Sequence, residues 1–171
     1  MTAPVLDTVE ESPLWQALPE AEALAEKAVA AAAASGGVKL LPGAEVSLLL
    51  TDDAHMREIN REWREKDKPT NVLSFPAVQP GKVAKAPFLG DIAVAYETLA
   101  REAADDGKAV ADHFTHLVVH GFLHLLGHDH IEPDEAERME ALEVAILATL
   151  GVADPYADRP LDEETPSVRM A

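Results

Sequence analysis

Cysteine is missing from the 171 residues, which excludes disulfides and any thiolate-bound metal. Basic charge is scarce. Fourteen Lys and Arg stand against 31 Asp and Glu, for a net charge of −17. Phosphate binding needs Lys and Arg, so that balance speaks against a protein that coats nucleic acid. No stretch approaches the ~18 apolar residues of a membrane-spanning helix. Residues 1–18 carry Asp7, Glu10 and Glu11 and no basic run, so they do not read as a secretory signal. The expected location is the cytoplasm. What is present is a 47% hydrophobic composition, typical of a folded chain. The length suits one domain able to bury a core without cross-links.

Strand and helix signals alternate. Val5-Leu6 reads as a short edge strand in an otherwise weakly patterned segment, 1–18. Pro19-Glu20 opens a helix that Ser35-Gly36-Gly37 stops. Glu45 to Thr51 is a buried strand, and Asp52-Asp53 then caps a helix carrying Met56, Ile59 and Trp63 on one face. Thr70 to Phe75 and Leu89 to Ala95 are strands on either side of a loop at 77–88. A helix follows from Tyr96 to Asp106. A largely apolar helix from about Asp112 to Leu126 is expected to be central, and a last helix runs from Glu132-Pro133 to Gly151. About four strands and five helices around one small sheet place the chain in the α/β or α+β class. The domain is expected to span 1–153, with 154–171 an acidic, disordered tail.

Six of the seven histidines lie between His113 and His130. His120 and His124 stand at i and i+4, so on a helix both imidazoles leave one face, one turn apart. That is the two-histidine bite of many zinc hydrolases. Gly127 lets the chain turn out of the helix. His130, ten residues after His120, sits at the third-ligand offset of the H-E-x-x-H-x-x-G-x-x-H pattern. Three imidazoles leave one position of a tetrahedral zinc open, as catalytic sites do. His116, His120, His124 and His128 also share i+4 spacing, so an all-helical set stays open. Gly127 favours His120, His124 and His130. His116 is expected to orient a ligand or pack in the core, His55 and His113 to lie at the surface, and Asp129 to hold a ligand imidazole or cap the turn. Zinc suits this donor set, as do Ni, Cu and Fe. Gly121 stands where the protease pattern has its Glu general base, so the geometry is protease-like but the chemistry differs.

A second constellation runs from Asn60 to Pro76. It is a helix end rich in Arg and Lys, then a turn, then a strand. Arginine offers a planar fork that matches a phosphate and stays charged. The plain alternative is a solvated helix face with local ion pairs to Arg57 and Arg61.

The ordered set resembles the YbeY family of bacterial rRNA maturation factors, metal-dependent endoribonucleases. It comprises Asn60…Arg64-x-x-Asp67-x-Pro69-Thr70-Asn71-Val72-Leu73-Ser74-Phe75-Pro76, then Leu89-Gly90-Asp91-Ile92, and then His116-Leu117-x-Val119-His120-Gly121-x-Leu123-His124-Leu125-x-Gly127-x-Asp129-His130. Met139-Glu140 and Asp154-Pro155-Tyr156 follow. The resemblance covers roughly residues 45–156. It implies an α/β domain with a small, mostly parallel sheet. It implies one zinc ion held by His120, His124 and His130, and Arg64 as the basic residue important for activity. It further implies single-strand-specific cleavage in maturation of the 16S rRNA 3′ end and in ribosome quality control. The implied partners are rRNA and the small ribosomal subunit, a ribosome-assembly GTPase and a small-subunit protein, with no membrane and no DNA. His128 stands where the family commonly has Tyr. Two rival readings remain, an assembly adaptor with structural zinc and a metalloprotease. The charge is polarised: residues 57–85 hold seven basic against four acidic residues, and 131–171 three against eleven. A basic strip in an acidic molecule admits RNA in one orientation.

Overall fold

These signals resolve, in a computed structural model that describes residues 3–35, 37–128 and 132–156, into an α/β fold with helices on both faces of one sheet. The strands are β1 (Val5–Glu10), β2 (Glu45–Thr51), β3 (Val72–Pro76) and β4 (Phe88–Ala95). The helices are α1 (Ala21–Ser35), α2 (Asp53–Arg64), α3 (Tyr96–Asp105), α4 (Val110–Leu125) and α5 (Pro133–Thr149). The sheet order is β1-β2-β4-β3. β1, β2 and β4 run parallel, and β3 closes one edge antiparallel to β4. The small, mostly parallel sheet expected from the sequence is observed.

Local chemistry sets the boundaries. The Asp52 carboxylate accepts the His55 N–H at 2.9 Å and caps α2. That helix ends where Glu65 turns left-handed at φ 57, returning the Lys66 N–H to the Asn60 carbonyl at 3.2 Å. At α5, Pro133 fills the first helical position and the Glu132 N–H donates to the Glu135 carboxylate at 3.3 Å. Gly127, at φ 103, carries the chain out of α4.

The two faces of the sheet bury different sets. Val46, Leu48, Leu50, Ile92 and Val94 pack with Ala25 and Ala28 of α1 and with Phe114, Val118 and Phe122 of α4. Leu73, Ala93 and Ala95 face the other way, onto Met56 of α2, with Ile59 and Phe75 at the margin. As expected, α4 is central; from His113 to Leu125 only His116 is less than fully buried.

Three differences from the sequence reading have physical causes. Segment 3–18 holds the edge strand expected at Val5-Leu6, longer than expected, and contributes to the core. β1 pairs along six residues of β2, and Trp15 is wholly buried, its indole N–H donating to the Thr51 carbonyl at 2.8 Å. His113, expected at the surface, is buried, because its Nε2 meets the Glu102 carboxylate of α3 at 2.9 Å. Residues 154–156, placed with the tail above, are held. The Tyr156 N–H donates to Asp154 Oδ1 at 2.8 Å, and the Tyr156 hydroxyl reaches α5. Residues 157–171 lie outside the described residues.

The ends of β3, α2 and α4 converge. The carbonyl of Phe75 and the side chain of Leu125 both crowd Gly90, where a Cβ would lie 2.4 and 2.8 Å from them. Trp63, one residue from the end of α2, rests against Phe75 with ring centroids 6.1 Å apart. The C-terminal turns of α2 and α4, with Arg64 and His124, therefore reach the same end of the edge strand from opposite faces of the sheet.

Candidate metal centre

Burial of α4 forces its histidines to find protein partners. His120 and His124 are both buried, and their Nε2 atoms face one another at 3.2 Å. Two nitrogens bound ~2.0–2.1 Å from one tetrahedral ion stand about 3.3 Å apart, so the spacing fits a shared cation. The i, i+4 pair meets as the sequence suggests.

The far nitrogen of His120 is taken. Its Nδ1 lies 2.5 Å from Oε2 of Glu143, on α5. The other oxygen, Oε1, meets His116 Nε2 at 2.9 Å and accepts a short hydrogen bond from the Tyr156 hydroxyl. The Tyr156 oxygen also lies 3.3 Å from His116 Nε2. Glu143 has no solvent exposure at all. Burial pushes its carboxyl up, but the His120 charge and the hydrogen bonds from His116 and His120 outweigh that and hold it well below the usual range. It is thus an acceptor, and in the neutral form of His120 the contact selects the tautomer with the proton on Nδ1 and the lone pair on Nε2, turned toward His124. Burial pushes the His116 imidazole down, against the pull of Glu143.

His116, His120 and Glu143 by themselves place three donor atoms within 4.8 Å of one another. Both Glu143 oxygens, however, already accept hydrogen bonds. The arrangement is therefore one in which a carboxylate orients the His120 imidazole from behind and leaves its Nε2, together with that of His124, able to hold a cation. His116 acts on the site through Glu143. His128 lies past the helix end, its N–H donating to the Leu123 carbonyl at 3.0 Å, so the four i+4 histidines do not form one helical row. His130 and Asp129 lie outside the described residues.

The sequence carries only an indirect signal for Glu143. It stands four residues after Met139 and three before Ile146, on the apolar face of α5. A carboxylate in such a row needs a buried partner.

Gly121 has a packing reason. A Cβ there would lie 2.9 Å from Ser74 Oγ and 3.2 Å from Ile92 Cγ2, and Ser74 Oγ donates to the Gly121 carbonyl at 3.0 Å. The helix lies directly on the sheet at this point, with no room for a glutamate base.

The Asn60–Pro76 segment divides into fasteners and the residue they present. Asn60 Nδ2 donates to the Lys68 carbonyl at 2.8 Å. Asp67 takes a two-point contact from Arg57, at 2.7 and 3.1 Å, and lies 3.7 Å from Arg61. The hydrogen bond from Arg57 is the main reason the Asp67 carboxyl lies below its usual range. Arg57 and Arg61 thus pair with the loop rather than with acids on their own helix. Asn71 accepts the Val72 N–H at 2.6 Å and donates to Glu102 at 2.9 Å. Together these contacts tie residues 65–71 to α2 and α3. Arg64, half-buried, ends α2 just before the loop.

Comparison with known proteins agrees with this layout. The family described as Endoribonuclease YbeY matches residues 11–151. A protein named Endoribonuclease YbeY from Bradyrhizobium diazoefficiens is 54% identical over 92% of this chain and 87% of its own length. One of the same name from Azorhizobium caulinodans is 56% identical over 89% of this chain and 96% of its own. One from Sinorhizobium fredii is 66% identical over 68% of each. A buried two-histidine centre on α4 and family similarity over nearly the whole described fold lead to one conclusion: the chain belongs to the endoribonuclease YbeY family of nucleases.

Proposed function

We propose that this endoribonuclease is zinc-dependent and single-strand-specific, and that it works in the cytoplasm on the 3′ end of 16S rRNA and in ribosome quality control. Its partners in this reading are rRNA and the small ribosomal subunit, with a ribosome-assembly GTPase and a small-subunit protein. The observation that carries the metal is the 3.2 Å approach of His120 and His124 Nε2, with Glu143 behind His120. His130 is proposed as the third ligand. A bound zinc ion supplies a Lewis acid to a phosphate oxygen and lowers the pKa of water.

The chain's own residues supply the rest. Glu143 holds the His120 proton on Nδ1, so Nε2 stays a donor to the ion. Arg64 is proposed to offset charge that grows on the phosphate in the transition state, where a fixed cation counts for more than in water. Buried apolar packing around α4 fixes the imidazoles. The protease reading fails on space, because Gly121 cannot carry a side chain without displacing Ser74 or Ile92.

The test combines metal analysis with cleavage of single-stranded and duplex RNA. Chelation is expected to abolish cleavage at unchanged folding, and zinc to restore it. Cleavage that survives chelation would overturn the metal dependence. Loss of folding without any cleavage at any metal content would favour the adaptor.

A further inference from the structure

Trp63 has no part in the fold that its size would justify. It is 64% exposed, while the other tryptophan, Trp15, has no exposure. It is nevertheless fixed: its ring rests on the half-buried Phe75, with the planes inclined at 57°. An indole that leans on one ring and is otherwise largely exposed leaves π-surface open to solvent. Its neighbours in the chain are mixed in sign but basic on balance. Arg61 and Arg64 flank it on α2 and Lys66 and Lys68 follow in the exposed loop, with Glu62 and Glu65 among them. The third acid of the run, Asp67, is taken up by Arg57 and lies near Arg61. Phe75, on which the ring rests, shares the Gly90 contact with Leu125, which follows His124. The aromatic ring and its basic border on one face of the sheet, and the histidine pair on the other, thus lie toward the same end of the edge strand.

We propose that Trp63 is a substrate-binding residue, a platform on which one unpaired base of the RNA stacks while the adjoining backbone passes the Arg64 side toward the His120–His124 centre. This rests on the reading of the protein as an RNA-cleaving enzyme. A base face stacks on an indole whatever its hydrogen-bonding edge, so the platform tolerates sequence. A duplex offers no free face there, so the platform also selects single strands. The occupant is a nucleic-acid strand rather than a protein, because the border is cationic and the aromatic surface is one ring rather than an extended apolar patch.

The experiment is a titration of the full-length protein with a short 2′-O-methyl oligoribonucleotide, single-stranded or as a duplex, read by tryptophan fluorescence and by anisotropy of a labelled strand. The single strand is expected to quench the exposed Trp63. Trp63→Phe is expected to bind nearly as the wild type. Trp63→Ala and Trp63→Leu are expected to bind roughly 5- to 100-fold more weakly, the range for one lost stacked base. Leucine keeps an apolar side chain but no ring, so its failure separates stacking from plain apolar contact. Thermal unfolding of all three variants is expected to stay near wild type, since the side chain is exposed. If the wild type binds and cleaves single strands with its tryptophan fluorescence unchanged, and Trp63→Ala binds and cleaves them equally well, the platform is wrong and the nuclease reading stands. If the wild type binds and cleaves no RNA of any kind, both fall.

Discussion

Glu143 is an anion with no solvent around it, and its three protein donors decide what it can do. Two of them, His120 and His116, come from one helix, and the third is the Tyr156 hydroxyl beyond α5. A neutral amide in its place still accepts from one side but cannot hold all three. Glu143→Gln is expected to weaken zinc binding about 10- to 100-fold, measured by competition with a chromophoric chelator, with the fold retained. Arg64→Ala is expected to cut cleavage by about 10²–10³ while zinc content is unchanged. Glu102 gives a second test at this scale. Burial pushes its carboxyl up, but His113 and Asn71 pull it further down, below the ordinary 4.5. A carboxyl lowered in the folded state stabilises the protein above the unfolded pKa, and that contribution fades as pH falls toward the folded value. The stability gap between wild type and Glu102→Gln, taken from urea unfolding, is therefore expected to shrink as pH falls below 4.5.

At the scale of elements, most of the chain was legible because periodicity and caps agree. The 45–51 strand, the Asp52 cap and the start of α5 at Glu132-Pro133 stand as the sequence indicates. What escaped were contacts made across the fold. Trp15 looked unplaced because its partners, Thr51, Tyr96 and Phe114, lie far along the chain; its ring meets the last two edge-on at 5.2 and 5.3 Å. His113 carried no local pattern because the carboxylate it meets, Glu102, comes from another helix. The histidine pair was legible, since helical spacing alone places it. Its carboxylate partner was not picked out, since only the packing of α5 on α4 brings Glu143 there. Trp15→Ala is expected to cost about 3–5 kcal/mol, read as a lower denaturation midpoint with cleavage per folded molecule preserved. Gly121→Ala is expected to destabilise by about 1–2 kcal/mol, because overpacking against Ser74 and Ile92 outweighs the better helix propensity.

For the whole molecule, the acidity of −17 conceals a division. The basic residues are concentrated in the 57–85 segment, and the C-terminal region is strongly acidic. Two of the arginines are engaged by Asp67, so the cationic border is smaller than the sequence count suggests. Affinity for bare RNA is accordingly expected to be weak and to fall with salt. The central claim is that His120 and His124 hold the ion on which cleavage depends. Zinc content and single-strand cleavage, measured together on purified wild type and on His124→Ala, test it most directly. The expected result is one zinc per wild-type chain, with metal and cleavage lost together in the folded variant. An active, metal-free wild type, or a His124→Ala variant that cleaves normally, would contradict it.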